Sequence, residues 1–168
     1  MPSPDQPSRI DMGTKERNEE RFPNRKSPRI PGYDYATPNY YFLTICTHNM
    51  KCLFWSDGKL NRLGRIAYDT VMEIPHHFPK NHVERFVIMP NHIHMILVVE
   101  PGGANASVVV GACKSHISRL VHRICPELKL WQESFHDHII RNQKQYERIW
   151  AYIDTNPMRW KKDCYFVE

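Results

Sequence analysis

An α+β fold, an antiparallel sheet with helices on one face, is what this 168-residue chain predicts. Three observations carry it. Short β-branched and aromatic runs alternate with amphipathic helical runs. Those runs come in the order strand, helix, strand, strand, helix, strand, helix, and the two adjacent strand runs are separated only by Met89-Pro90-Asn91. The first six elements in that order make the split-βαβ plan, ferredoxin-like or RRM-like, in which two βαβ units interleave in one sheet. The other sheet face is left for a ligand, a nucleic acid or a further helix.

The first strand run is YYFLTICTH, starting at Tyr40 and rich in aromatic and β-branched residues. LNRLGRIAYDTVMEI follows, with Leu63, Ile66, Ala67, Thr70, Val71 and Ile74 at helical spacing and Pro75 as its stop. VERFVIM and HIHMILVVE are the paired strands, joined by a tight connection and closed by a Pro-Gly-Gly turn. SVVVGACKSHISRLVHRIC repeats the helical period through Cys113, Ile117, Leu120, Val121 and Ile124, with Pro126 just past its end. SFHDHIIR is the fourth strand and KQYERIWAYIDTN the last helix. No internal repeat is visible.

Residues 1–35 are polar and proline-rich and read as a flexible basic arm; residues 36–168 read as a single domain. The arm ends in RFPNRKSPRIPGYDY, where Arg21, Arg25, Lys26 and Arg29 stand beside Phe22, Tyr33 and Tyr35. Cations interleaved with aromatics suit phosphate contacts plus base stacking, and a solvated leader has the same look. The net charge of +5 favours an anionic partner. No run has the length of a membrane span and the N-terminus has no apolar core, so a cytoplasmic protein without a membrane partner is expected. Five cysteines, an odd number without a Cys-x-x-Cys pair, argue against a disulfide framework or a thiolate zinc site.

His92 and His94 lie one residue apart on a strand and therefore point to the same face. Two such imidazoles can hold one metal ion, or they can be part of an ordinary sheet face. The His-Glu-x-x-His and zinc-deaminase signatures are absent, and Ile96 stands where a third alternating histidine would be. On the last helix Tyr146, Ile149, Trp150 and Ile153 form one apolar stripe, which makes Tyr146 the expected core tyrosine. Tyr152 falls off that stripe and Asn156 lies one turn along the same flank. Tyr152 is then free for chemistry, or is a half-buried surface tyrosine.

Two imidazoles, an amide oxygen and a phenol suit one kind of reaction. A metal held by few protein ligands keeps open positions and can offset charge in an in-line displacement at phosphorus. A phenol is a weak nucleophile at neutral pH and needs such an electrophile. A covalent phosphotyrosine would conserve bond energy for rejoining, which is strand transfer rather than plain hydrolysis. His136 and His138 also alternate; His138 is expected to be a hydrogen-bonded structural or DNA-facing residue. Lys114 and Ser115 lie off their helix's apolar stripe, facing phosphate or solvent. Arg141, Lys144, Arg148, Arg159, Lys161 and Lys162 make the C-terminal region basic.

The segments PGYDYATPNYYFLTICTHNMKCLF, VIMPNHIHMILVV, VVGACKSHISRL and LWQESFHDHIIRNQKQYERIWAYIDTNPMRW resemble the single-tyrosine HUH transposases, in particular the REP-associated tyrosine transposase branch. They cover the chain from about Pro31 to its end, and MPNHIH followed by YIDTNP is the specific feature. The resemblance implies that His92 and His94 bind Mg or Mn, with Asn156 in the place of the polar third ligand. It implies that Tyr152 forms a 5′-phosphotyrosine with single-stranded DNA. Lys114, from its place off the helix stripe, is a candidate to position or activate the phenol. The DNA would be a hairpin of the repetitive extragenic palindrome kind with a short flanking guide. Arg21, Arg25, Lys26, Arg29, His138 and Arg141 are its candidate contacts. Such a protein would be nucleoid-associated when bound to DNA. A monomer is favoured over a helix-exchanging homodimer. The rival readings are a non-catalytic nucleic-acid-binding module on the same sheet and a hydrolytic, metal-dependent nuclease.

Overall fold

The computed structural model describes residues 30–168. In chain order its elements are β1 (Asn39–Cys46), a short hairpin of β2 (Trp55–Ser56) and β3 (Lys59–Leu60), α1 (Arg62–Met72), α2 (Ile74–His77), β4 (Asn81–Ile88), β5 (His92–Val99), α3 (Ala106–His122), β6 (His136–Ile140) and α4 (Gln143–Thr155). A 3-10 segment, Asn156–Lys162, continues from α4. The main sheet has the order β4-β5-β1-β6, antiparallel throughout. That is the interleaved order of the split-βαβ plan.

Strand alternation divides the molecule into two layers. Tyr41, Leu43 and Ile45 of β1 and Ile93, Met95, Leu97 and Val99 of β5 face one way. They form the main core with Ala67 and Val71 of α1 and Val109, Val110, Cys113 and Ile117 of α3. Phe42 and Ile96 face the other way, where Ile149 and Ile153 of α4 close a second, smaller cluster. The open sheet face is thus covered by the last helix over only part of its width. Among the described residues no helix is long and apolar enough to cross a membrane.

Side-chain caps set the helix starts. Asn61 Oδ1 accepts from Gly64 N at 3.0 Å, and Asn142 Oδ1 accepts from Gln145 N at 2.9 Å. Pro75 does end α1, and it immediately serves in the first turn of α2, where a missing N–H costs nothing. The β2–β3 hairpin is an element that our sequence reading lacks. Its turn residues Asp57 and Gly58 have φ of 51° and 74°, the left-handed pair that a two-residue hairpin needs.

The arm needs a correction. Arg21, Arg25, Lys26 and Arg29 lie outside the described residues. Tyr33 and Tyr35, however, are not stacking platforms for bases. Tyr35 is buried in the main core and its hydroxyl donates to Asp137 Oδ2 at 2.8 Å. Tyr33 packs beside it at 4.9 Å and shares a 3.0 Å hydroxyl contact with Tyr41. Packing onto the domain therefore begins by Ile30, ahead of residue 36.

Candidate active site

His92 and His94 sit at the start of β5, on the sheet face that α4 crosses. Register sets Cys46 opposite His92 and Thr44 opposite His94, and β6 sets His136 opposite Thr44 on the far side. Both rings are buried, 0% and 1% exposed, with centroids 4.3 Å apart.

Each ring commits its Nδ1 to a neighbour. His94 Nδ1 lies 2.8 Å from Thr44 Oγ1, and His92 Nδ1 lies 2.8 Å from Asn91 Oδ1. The orientation of the Asn91 amide follows from its other end, where Nδ2 donates to Tyr165 O at 2.8 Å and Met50 O at 3.1 Å. Its oxygen therefore faces the imidazole. An amide oxygen only accepts, so His92 Nδ1 carries the proton and Nε2 presents a bare lone pair. Nε2 of His92 and Nε2 of His94 are both buried without a hydrogen-bond partner. As a purely structural arrangement, two orphaned ring nitrogens would cost on the order of 1–3 kcal/mol each.

The remaining groups arrive from the C-terminal end. Asp163 follows the 3-10 segment, and its carboxylate closes a group with His92 and His94 in which the ligand atoms all lie within 4.8 Å of one another. Asp163 Oδ1 accepts from Tyr165 N at 2.7 Å, and Oδ2 accepts from the Tyr152 hydroxyl at 3.3 Å. The Tyr152 ring lies 5.2 Å from His94 and 6.2 Å from Phe42. Tyr165 covers the other side, 4.6 Å from His92 and 5.7 Å from His94. Asn156 is 2% exposed, and neither its oxygen nor its nitrogen has a hydrogen-bond partner of good geometry. Nitrogen and oxygen donors in this mixture fit a divalent cation of the Mg, Mn or Zn type.

Burial keeps both imidazoles neutral, which is the ligating form. His92 is held well below the usual histidine range by burial and then by His94. His94 is brought down to about 3 by burial and then by His136. Burial pushes the Tyr152 phenol upward; Asp163, Cys164 and Tyr165 push the same way, and only Asn156 opposes. The phenol is a proton donor at neutral pH, and its oxygen becomes nucleophilic only when positive charge or a proton acceptor is at hand.

The sequence pattern of the family described as "Transposase IS200 like" matches residues 40–156, from β1 to the end of α4. The matched span is most of the chain and contains both histidines and the tyrosine.

The chain belongs to the IS200-like transposase family.

An uncharacterized protein of Haemophilus influenzae is 31% identical to it, over 86% of this chain and 94% of that protein. A second H. influenzae protein, provisionally described as a REP-associated tyrosine transposase, is 25% identical over 75% of this chain and 74% of its own. Two solved structures share the fold. A REP-associated tyrosine transposase bound to a REP hairpin superposes with a TM-score of 0.59 at 20% identity, covering 81% of this chain and 74% of that one. A Deinococcus radiodurans protein described provisionally as a transposase gives 0.51 at 19% identity, over 77% of this chain and 97% of its own.

In this IS200-like transposase the residues expected to act together do share one face: His92, His94, Tyr152 and Asn156. Tyr146 is half-buried and packs against the smaller cluster with Trp150, its ring 5.7 Å from Tyr40 and its hydroxyl donating to Glu84 Oε2 at 3.1 Å. Lys114 is engaged elsewhere, its ammonium donating to Gln132 O at 2.6 Å and Glu133 O at 3.4 Å. His138 is half-buried on the site face of β6, opposite Phe42, and Arg141 is exposed at that strand's end. Asn91, Thr44, Asp163 and Tyr165 are absent from the sequence reading. Asn91 was visible in MPNHIH but had the look of a turn residue. Asp163 lies beyond the helix-breaking Pro157, and only the return of the chain brings it to the histidines.

Proposed function

We propose that this transposase cuts single-stranded, hairpin-forming DNA and rejoins it through a 5′-phosphotyrosine on Tyr152, using Mg or Mn. The carrying observation is the convergence of two orphaned imidazole nitrogens, a carboxylate and a phenol in one buried patch. His92 and His94 would hold the cation, with Asp163 and Asn156 as the candidates to complete its protein ligands. The cation would supply Lewis-acid stabilisation of charge on a phosphoryl oxygen.

The chain's own groups then account for the rest. Asn91 and Thr44 fix the ring orientations. Tyr165, Phe42 and α4 exclude water from the patch. Asp163 Oδ2 accepts from the phenol and so lies where its proton must leave. As the Tyr152 oxygen bonds to phosphorus, the bond to the 3′ oxygen breaks, and the released 3′ hydroxyl takes up one proton. One ester replaces another, so rejoining is the same step reversed. The solved relative on a REP hairpin supports a repetitive-palindrome-like DNA as the substrate. A monomer has every group of the site on one chain, which supports it over a helix-exchanging dimer.

A denaturing gel tests this with labelled hairpin DNA carrying single-stranded flanks, Mn²⁺, wild type and Tyr152→Phe. The expected result is a protein–DNA band that survives denaturation in wild type and is missing in the variant. Cleavage by both proteins without the band would show a hydrolytic nuclease. Binding without cleavage by either would show a non-catalytic module.

A further inference from the structure

Asn91, which sets the proton of His92, is itself set by the turn that follows β1. Its Nδ2 donates to Met50 O at 3.1 Å, and its backbone oxygen accepts from Thr47 N at 2.9 Å and Thr47 Oγ1 at 3.0 Å. That turn does not support itself. Asn49 and Met50 have φ of 53° and 55°, a left-handed pair without a glycine, and such a pair persists only where neighbours hold it.

The neighbour is the segment that leads to β6. Leu130, Trp131 and Gln132 run antiparallel to Cys46, Thr47 and His48. His48 N donates to Leu130 O at 2.9 Å, Gln132 N donates to Cys46 O at 3.0 Å, and Thr47 bridges to Trp131. Gln132 also reaches the turn itself, with Nε2 at 3.6 Å from Met50 Sδ.

The far side of this segment is fastened to α3 through Lys114. The half-buried ammonium donates to Gln132 O at 2.6 Å and to Glu133 O at 3.4 Å, while Lys114 O accepts from Trp131 Nε1 at 3.1 Å. An ammonium has three donors and no acceptor, so on two carbonyls it acts as a charge-assisted clamp. Among the described residues no carboxylate pairs with it and draws it away. A continuous path of contacts thus runs from α3, on the main-core side, round the end of the sheet to His92 on the other face.

We infer that Lys114 is a positioning residue for the histidine patch. It holds Gln132 so that the turn after β1 keeps the Asn91 amide, and with it the His92 lone pair, in place. The inference rests on the metal-site reading above, and it gives Lys114 no contact with cation, phenol or DNA.

The test uses full-length protein without DNA. Lys114→Met and Lys114→Gln remove the charge, and Lys114→Arg keeps a cation with donors. Calorimetric titration with Mn²⁺ is run where circular dichroism shows each protein fully folded, so a loss of stability alone leaves Kd unmoved. The neutral variants are expected to bind Mn²⁺ about 10-fold more weakly, the low end of what outer partners of a metal site supply. Lys114→Arg should recover most of that loss. In an Asn91→Ala background Lys114→Met should cost nothing further, because the path to His92 is already cut. Histidine NMR spectra of the metal-free protein give a readout that needs no cation. His92 should carry its proton on Nδ1 in wild type and lose that single tautomer in Lys114→Met. Unchanged Mn²⁺ affinity in a folded neutral variant would overturn the inference. So would a full further loss in the Asn91→Ala background, which would put Lys114 on another path. If wild type binds no Mn²⁺, the metal reading falls; the tautomer change then upholds the positioning of His92, or by its absence overturns it.

Discussion

His92 can offer a lone pair to a cation only because Asn91 keeps its proton on the opposite nitrogen. The same amide holds Tyr165 O, and Tyr165 N in turn holds Asp163 Oδ1, so one side chain ties the histidine to the carboxylate. Outer partners of this kind typically account for 10–100-fold in metal affinity. Asn91→Ala is therefore expected to weaken Mn²⁺ binding by that factor in a calorimetric or EPR titration, with the fold retained by circular dichroism. Asp163→Asn should weaken it comparably. If Asn156→Ala does so and Asp163→Asn does not, the third ligand is the amide and Asp163 serves the phenol. The histidines and Tyr152 were legible in the sequence because strand and helix periods fix which face a residue takes. Asp163 and Asn91 were not, because their roles arise where separate segments meet and no local period encodes that.

Helix α1 shows how an element can hide a contact from its own sequence. Gly64 reads as an ordinary glycine within a helix, and replacing it by alanine should stabilise an isolated helix by about 1 kcal/mol. In the fold its missing Cβ is the surface on which the β2–β3 hairpin rests: an added Cβ would lie 2.1 Å from Phe54 O and 2.9 Å from Leu60 Cδ2. Gly111 on α3 has nothing within 4 Å of the same position. Opposite signs are expected. Gly64→Ala should destabilise by about 2–3 kcal/mol through overpacking, and Gly111→Ala should stabilise by about 0.5–1 kcal/mol. Urea midpoints at constant m-value check both, and a stabilising Gly64→Ala would remove the hairpin from its assigned seat. The six elements of the split-βαβ plan were legible from periodicity alone. The hairpin had its signal too, Asp-Gly between Trp55-Ser56 and Lys59-Leu60, but strands of two residues have no period to detect. The apolar stripe of α4 was read correctly at Ile149 and Ile153. Tyr146 and Trp150 of the same stripe pack against that cluster but stay half-buried, because a helical angle says nothing about how deeply each residue is covered.

At the scale of the molecule, one sheet face carries the main core and the other carries buried imidazoles beneath α4 and the C-terminal segment. That division gives the metal-free protein a defined pH window. His94 is lowered to about 3 and His92 lies well below its usual range, both through burial first. In the unfolded chain each titrates near 6.5. As pH falls, the unfolded chain takes up protons that the folded chain refuses. Stability is therefore intact above about pH 6.5 and is lost progressively from there towards pH 3, by up to about 1.4 kcal/mol per pH unit for each imidazole. The alkaline limb has a different source. Cys46 and Cys113 are raised to about 12, in each case by burial first, so above about pH 9 the unfolded chain loses protons that the folded chain keeps, and stability falls again. Urea titrations of the chelated protein from pH 5 to 10 should trace a plateau between these limits. Replacing both His92 and His94 by Asn should flatten the acid limb and leave the alkaline limb unmoved. Mn²⁺ should steepen the acid limb in wild type alone, because protons and cation compete for the same two nitrogens. An acid limb that survives the double replacement would mean that other groups set the acid stability, and that the histidine patch is not the weak point of the fold.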